Sequence, residues 1–264
     1  MVTSEKSVVM PEKATAPPGS VRILGVRVDD VTEEETLDLL VRYVAEGRPR
    51  QVVTVNPEFV MLAQRNPEFY VVLEKADLAI PDGVGLLWAA RLLERPLRER
   101  VAGSDMVPFV ARMSAQTGHR LFFLGAAPGV AEKAAEILMR RYPGLQVVGT
   151  YAGSPDPAEE DEIVARVRAA SPDFLFVAYG APRQDLWIAR NMERLQVPVC
   201  MGVGGSFDFI ADVTPRAPEW MRRRGLEWLH RLIHQPWRWR RMSVLPVFIC
   251  QVIWNKLGGA GRKE

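Results

Sequence analysis

Short apolar runs alternate with longer amphipathic segments over residues 21–201 of this 264-residue chain. Strands that are buried on both faces of a parallel sheet read as such continuous runs, and parallel neighbours need a crossover, usually a helix, between them. The alternation therefore predicts an α/β fold, with a mostly parallel sheet and helices on both faces. The predicted strands are Val21–Leu24, Gln51–Val55, Asp77–Ile80, Leu121–Leu124, Leu145–Thr150, Phe174–Tyr179 and Val197–Met201.

The segments between these runs carry helix start signals. Thr32 and Glu35 have the spacing of a capping box, and Pro57 suits the first turn of a helix. The other predicted helices are Gly85–Leu93, Asp105–Thr117, Val130–Arg141, Pro157–Ala170 and Pro182–Asn191.

The charge of the chain changes sign near residue 216. Residues 1–215 carry a net charge of −6, whereas residues 216–264 carry +8 and five of the seven tryptophans. We therefore divide the chain into a disordered N-terminal arm (1–20), an α/β domain (21–215) and a basic, Trp/Arg-rich helical appendage (216–264). Two cysteines, Cys200 and Cys250, make no disulfide framework, which favours a reducing cytosol. The apolar runs are shorter than a membrane-spanning helix requires.

Ligands of such sheets bind beyond the carboxyl ends of the strands, and polar residues follow two of the predicted strands. Thr54 and Asn56 share a direction at one strand end and could position a sugar, although Asn56 could equally be a helix N-cap before Pro57. Asp82 follows another strand between a proline and a glycine. With no histidine at a strand end, a carboxylate is the natural general base, but a turn aspartate is the alternative.

Glycine-rich turns follow three further strands. The turn at Gly125 is expected to face a nucleotide, but it lacks the dinucleotide spacing, so we expect no NAD. At the second turn, Gly180 lets a ligand approach, Pro182 opens a helix whose N–H groups could hold an anion, and Gln184 points back toward them. The third turn, with Gly202, Gly204 and Gly205 followed by Phe207 and Asp208, favours a backbone nest for phosphate oxygens. Plain strand–turn–helix connections are the alternative for all three.

Metal-binding patterns are missing from the sequence. No Asp-x-Asp follows a predicted strand, so a carboxylate-bound Mg²⁺ is not indicated, and His230 and His234 lack a third ligand. We therefore expect neither a metal nor another cofactor.

Six stretches in order resemble the WecG/TagA/CpsF family of bacterial glycosyltransferases. The stretches are Thr54–Glu58, Ala76–Gly85, Arg100–Asp105, Phe123–Gly125, Gly180–Asp185 and Gly202–Asp208 with Arg216–Pro218 after it. The resemblance implies a Rossmann-like domain with a mobile C-terminal appendage. It also implies an inverting transfer of an N-acetylmannosamine-type sugar from a UDP-sugar to undecaprenyl-diphosphate-linked GlcNAc, in teichoic-acid-like polymer synthesis. A uronic acid or glucose donor, or a non-catalytic nucleotide-binding assembly protein, stays open as an alternative.

The resemblance also implies roles for individual residues. Asp82 would be the general base, and Thr54 and Asn56 would position the sugars. Gln184 and the turn of residues 202–208 would hold the donor, and Arg100 would contact the diphosphate or a sugar.

The appendage interleaves eight arginines with tryptophans between residues 216 and 241. Such a segment favours the headgroups of anionic lipid, so we expect a cytoplasmic protein that is peripheral on the inner face of the plasma membrane. The acidic body works against nucleic-acid binding, whereas a homo-oligomer interface stays open. We also expect an arginine of the appendage to fold over the site and neutralise the leaving UDP, with pure tethering as the alternative. The candidates are Arg216, Arg224, Arg231 and Arg238.

Overall fold

The computed structural model describes residues 19–223, 226–234, 239 and 243–259. The strands are β1 (Ser20–Ile23), β2 (Val26–Asp29), β3 (Arg50–Val55), β4 (Leu78–Pro81), β5 (Arg120–Gly125), β6 (Gln146–Tyr151), β7 (Phe174–Ala178) and β8 (Val199–Gly202). The helices are α1 (Glu33–Glu46), α2 (Pro57–Ala63), α3 (Pro67–Lys75), α4 (Val84–Leu92), α5 (Gly103–Thr117), α6 (Val130–Arg141), α7 (Glu160–Ala170), α8 (Arg183–Leu195), α9 (Ser206–Ile210), α10 (Glu219–Arg223), α11 (Glu227–His234) and α12 (Val244–Gly259). A 3₁₀ turn at Pro157–Glu159 precedes α7.

Six strands form one parallel sheet in the order β4-β3-β8-β7-β5-β6. Successive residues of a strand pack on opposite faces, so Val52 joins the core under α1, α5, α6 and α9, whereas Val53 joins the core under α2, α3 and α4. Helices α7 and α8 cover the rest of that second face. The predicted fold class, a mostly parallel α/β sheet covered on both faces, is confirmed.

The first predicted strand is instead an antiparallel hairpin of β1 and β2, separate from the main sheet. The chain reverses at Leu24 and Gly25, where φ is +48° and +85°. Positive φ at both central residues is the geometry of a tight hairpin turn. The sequence predicts a turn at Gly25, but leucine seldom adopts a positive φ, which explains why it did not indicate a two-residue hairpin turn that begins at Leu24.

Helix α3 was not predicted, although the chain repeats the start signal of α2 ten residues later. Both helices begin with the sequence Asn-Pro-Glu-Phe, and Asn56 and Asn66 cap them by accepting the backbone N–H groups of Phe59 and Phe69. The two phenylalanine rings then meet edge to face, with centroids 5.2 Å apart. The predicted capping box of Thr32 and Glu35 at the start of α1 is confirmed.

Helix α12 packs on α2 and α4, with Phe248 and Val252 fully buried in the same core cluster. The proposed boundary at residue 215 stays a prediction, and Ser20 already belongs to β1. The rest of the predicted N-terminal arm up to residue 18 lies outside the described residues, as do Arg224 and Arg238. No helix within the described ranges combines the length and apolarity needed to cross a membrane.

Candidate active site

The sheet order brings the five strand ends singled out in the sequence to one edge, because β4, β3, β8, β7 and β5 are consecutive neighbours. A cavity of about 640 Å³ opens at the β4 and β3 end of this edge, between the strand ends and helices α11 and α12. Its polar lining includes Asn56, Asp82, Arg100 and Ser104. A volume of this size suits a small-molecule ligand.

Backbone contacts hold Asp82 at the cavity. Its N–H group donates to the carbonyl of Val55 at 2.7 Å, which ties the end of β4 to the end of β3. Gly103 begins α5 beside it: a Cβ atom there would lie 2.7 Å from Thr54 Cγ2 and 3.3 Å from Asp82 Oδ2. Thr54 and Asp82 therefore flank the same helix start, and only glycine leaves room for both.

Thr54 is buried and does not belong to the cavity lining, so its predicted role in positioning a sugar would have to be exerted through its neighbours. Asn56 lies on the cavity; its interpretation as an N-cap is confirmed, and its role in positioning a sugar stays a prediction. Its Oδ1 atom accepts the N–H group of Phe59 at 2.9 Å and caps α2, which leaves the amide nitrogen to face a ligand.

Arg100 lines the cavity and makes no ion pair with any side chain in the described part of the chain. Arg216, by contrast, is bound to the start of α5. Its Nη2 atom donates to the Asp105 carboxylate and to the Ser104 hydroxyl, the latter at 3.2 Å. Arg216 thus stands beside the cavity with its charge already offset, and it is not part of the lining. The Arg231 side chain lies outside the described residues.

Gln184 is buried between two glycine turns rather than in the cavity. Its Oε1 atom accepts the N–H groups of Gly180 at 3.1 Å and Gly204 at 3.0 Å. A Cβ atom on Gly202 would lie 2.5 Å from Gln184 Nε2, so Gly202 makes room for this side chain. Gln184 therefore links the turn after β7 to the turn after β8 by hydrogen bonds.

Several predicted anion donors are therefore already engaged. At the start of α8, the N–H groups of Gln184 and Asp185 donate to the carbonyls of Gly180 and Pro182, both at 3.1 Å. In the third turn, the N–H groups of Val203, Gly204 and Ser206 also bond within the protein. Two of the N–H groups behind Pro182 are thus already bonded and the expected phosphate nest is only partly available, so anion binding at both turns stays a prediction.

Two residues predicted to bind substrate have packing roles. Phe207 is fully buried, and its ring stacks on Phe123 with centroids 4.7 Å apart. A Cβ atom on Gly125 would lie 2.8 Å from the backbone of Ala178, so this glycine permits close strand contact. Gly180 and Gly204 remain open, with nothing within 4 Å of a Cβ position. Gly205 and the half-buried Asp208 lie in the same turn region.

Sequence reasoning missed Ser104 and the apolar side of the cavity, because both depend on chain segments that meet only in the fold. It also gave no role to Asp185, whose side chain is fully buried and whose carboxyl oxygens lack hydrogen-bond partners among the described residues. Burial raises the pKa of Asp185 to about 7. No cluster of three or more His, Cys, Asp or Glu residues suited to a metal ion occurs in the described ranges.

Comparisons with known proteins match most of the chain. Residues 21–262 match the model of the glycosyl transferase WecG/TagA/CpsF family. The chain is also similar to proteins named N-acetylglucosaminyldiphosphoundecaprenol N-acetyl-beta-D-mannosaminyltransferase. The Bacillus spizizenii protein is 34% identical over 83% of this chain and 84% of its own length. For Bacillus subtilis the identity is 32% over 82% and 84%, and for Staphylococcus aureus it is 30% over 88% and 91%.

Proposed function

The chain belongs to the WecG/TagA/CpsF family of glycosyltransferases, and on this basis we propose that it transfers N-acetylmannosamine from a UDP-sugar to undecaprenyl-diphosphate-linked GlcNAc. It would act as a hexosyltransferase in the synthesis of a teichoic-acid-like cell-wall polymer. The names of the similar proteins support both the sugar and the acceptor. The observation that carries the proposal is that Asp82, Asn56 and Arg100, all within the family match, lie on one cavity.

The proposed reaction is a single displacement. Asp82 takes the proton from the attacking hydroxyl of the acceptor GlcNAc as that oxygen bonds to the anomeric carbon of the donor. The bond from that carbon to the phosphate oxygen breaks, and UDP leaves with the electron pair. Attack from the side opposite UDP inverts the anomeric centre, and Asn56 and Thr54 fix the geometry of the attack.

The donor's diphosphate requires positive charge or N–H groups as it leaves. The turns at Gly180 and Gly204, held together by Gln184, leave open space for this diphosphate farther along the sheet edge. Arg100, whose guanidinium no described side chain neutralises, lies on the cavity and is assigned to the diphosphate of the acceptor. Gly205 and Asp208 complete that donor side. Metal independence stays a prediction from the sequence.

The acceptor is anchored in a membrane, so we place the enzyme peripherally on the inner face of the plasma membrane. The basic charge of residues 216–264 supports this placement, as does Trp254 on α12, which is 79% exposed. Membrane docking would bring an arginine of the appendage over the cavity. Because Arg216 is held by Asp105, the candidates for that role are Arg224, Arg231 and Arg238.

A donor panel with one lipid-linked acceptor tests the proposed function. We expect release of UDP from UDP-N-acetylmannosamine to require the acceptor and to exceed release from the uronic acid or glucose donors. Activity should persist in excess EDTA. Binding of UDP-sugars without acceptor-dependent release would instead indicate a nucleotide-binding assembly protein. Preference for another donor would reject the assigned sugar, and loss in EDTA restored by Mg²⁺ would reject the metal-free mechanism.

A further inference from the structure

The cavity that holds Asp82 has two chemically different sides. The strand ends supply the polar side described above. The opposite side is an apolar wall, and it comes from the last part of the chain. We define this wall as Trp228, Leu232, Trp239, Leu245 and Ile249.

The wall is attached to the body through α12. Phe248 and Val252 of this helix are buried against α2 and α4, which fixes the neighbouring turn over the strand ends. Leu245 and Ile249 are four residues apart, so they lie on one face of the helix and both border the cavity. Ile249 remains 42% exposed and Trp228 39% exposed. Most of the side chains that the last part of the chain contributes to the cavity are thus apolar and incompletely covered, with Glu227 and Ser243 as polar members of the same lining.

We propose that this wall binds the first isoprene units of the acceptor lipid, directly after its diphosphate. The inference depends on the proposed function, since it names the part of that acceptor which the site recognises beyond the sugar. The acceptor hydroxyl must reach Asp82, and the diphosphate finds its counter-charge at Arg100, which borders the same cavity. The lipid continues from the diphosphate, and the apolar surface that meets it there is the wall.

The volume of the cavity supports recognition of only that part of the lipid which lies next to the diphosphate. A cavity of about 640 Å³ holds a sugar diphosphate and little more, so most of an undecaprenyl chain must remain outside. Burial of one methylene group changes an equilibrium by about fourfold, because it is worth ~0.8 kcal/mol. One five-carbon unit on a partly exposed wall should therefore improve acceptor binding by at least ~10-fold.

The test compares two soluble acceptors in the absence of membranes and detergent. One is GlcNAc-diphosphate with a methyl ester, and the other carries a geranyl chain in its place. The wall variant is Leu232→Ser/Ile249→Ser. The matched control is Ile253→Ser/Leu257→Ser, which removes the same two residue types from α12 at exposed positions outside the cavity. Both transfer (kcat/KM) and equilibrium binding of each acceptor to the full-length protein are measured.

We expect the wild-type protein and the control to favour the geranyl acceptor by at least ~10-fold, and the wall variant to lose this preference while it still uses the methyl acceptor. An undiminished geranyl preference in the wall variant would overturn the proposal. So would an equal loss with both acceptors, since the wall would then serve folding or catalysis. Failure of the proposed function is a separate result: the wild-type protein would transfer sugar to neither acceptor, and the binding measurements would still decide whether the wall recognises the lipid.

Discussion

Asp82, Thr54 and Gly103 illustrate how closely the proposed general base is built into the fold. The carboxylate and the threonine flank the start of α5 at contact distance, with the backbone of Asp82 bonded to Val55. A base in such a setting has little freedom to move, which is what proton transfer at a fixed position requires. Small substitutions can test whether Asp82 is the proton acceptor and whether its packing against α5 affects the reaction.

Replacement of Asp82 by Asn removes the proton acceptor and keeps the size of the side chain. We expect Asp82→Asn to lower kcat by ~10²–10⁴-fold, the usual contribution of a general base, with donor affinity nearly unchanged. Steady-state kinetics and titration with UDP measure the two effects. A variant that turns over at close to the wild-type rate would show that another group takes the proton.

Gly103→Ala tests the packing of Thr54 and Asp82 around the start of α5 without removing either of them. The added methyl group must displace Thr54 Cγ2, from which it would otherwise lie 2.7 Å, and so shift the base. We expect kcat to fall by ~10-fold or more with the fold retained. Gly258→Ala in α12, where a Cβ meets nothing within 4 Å, is the control and should behave as wild type. Equal kinetics for the two variants would contradict the tight packing.

Asp185 should make stability depend on pH. Burial raises its pKa in the folded state to about 7, above its ordinary value, so the folded protein binds more protons than the unfolded chain between about pH 4 and pH 7. The free energy of unfolding should therefore decrease as pH rises through this window, by up to several kcal/mol. Asp185→Asn should remove that decrease. Denaturant titrations at a series of pH values measure it, with exposed Asp38→Asn as the control. A pH dependence that Asp185→Asn leaves unchanged would exclude this residue as its cause.

At the scale of elements, the sequence predicted the six-stranded sheet because each of its strands is a continuous apolar run between helix signals. It missed the hairpin and α3 for local reasons: Leu24 gives no turn signal, and the repeated Asn-Pro start at residue 66 was not used. Of the polar residues of the cavity, the sequence singled out Asn56, Asp82 and Arg100. The glycines were harder to interpret. Gly125 and Gly202 serve packing whereas Gly180 and Gly204 remain open, and sequence alone cannot separate these uses.

The hypothesis that an arginine of the appendage folds over the site, like a lid, can be tested without truncating the chain. Removal of the residues after 213 would take Phe248 and Val252 out of the core that they share with α2 and α4. Loss of activity in a truncated chain would then have two causes that cannot be separated, instability and loss of the lid. Single substitutions of arginine residues leave this core intact and avoid the problem. We expect Arg224→Ala, Arg231→Ala or Arg238→Ala to lower kcat with a soluble acceptor, because a cation that neutralises leaving UDP acts in the transition state. Lys256→Ala, which breaks a surface pair with Glu94, is the control. Unchanged kcat in all three arginine variants would reduce the appendage to a tether.

At the scale of the whole molecule, the net charge is −6 for residues 1–215 and +8 for residues 216–264, so the positive charge is concentrated in the last part of the chain. Such a molecule should approach an anionic surface with the appendage first, while the acidic body faces away. The orientation would also turn the cavity wall, which belongs to the appendage, toward the lipid that carries the acceptor. The basic appendage and the apolar wall of the cavity would thus both face the membrane.

Vesicle binding tests this arrangement, and the chain offers a matched pair of variants. Arg240→Gln/Arg241→Gln and Arg140→Gln/Arg141→Gln both remove two adjacent positive charges, one pair from the appendage and the other from α6 in the body. Each basic residue near an anionic surface contributes about 1 kcal/mol, so the appendage pair should weaken binding to vesicles with 30% anionic lipid by ~30-fold. The effect should shrink at high salt, because screening shortens the range of the attraction. The α6 pair should leave binding nearly unchanged. Equal losses from both pairs would show that net charge alone, rather than a charged face, brings the protein to the membrane.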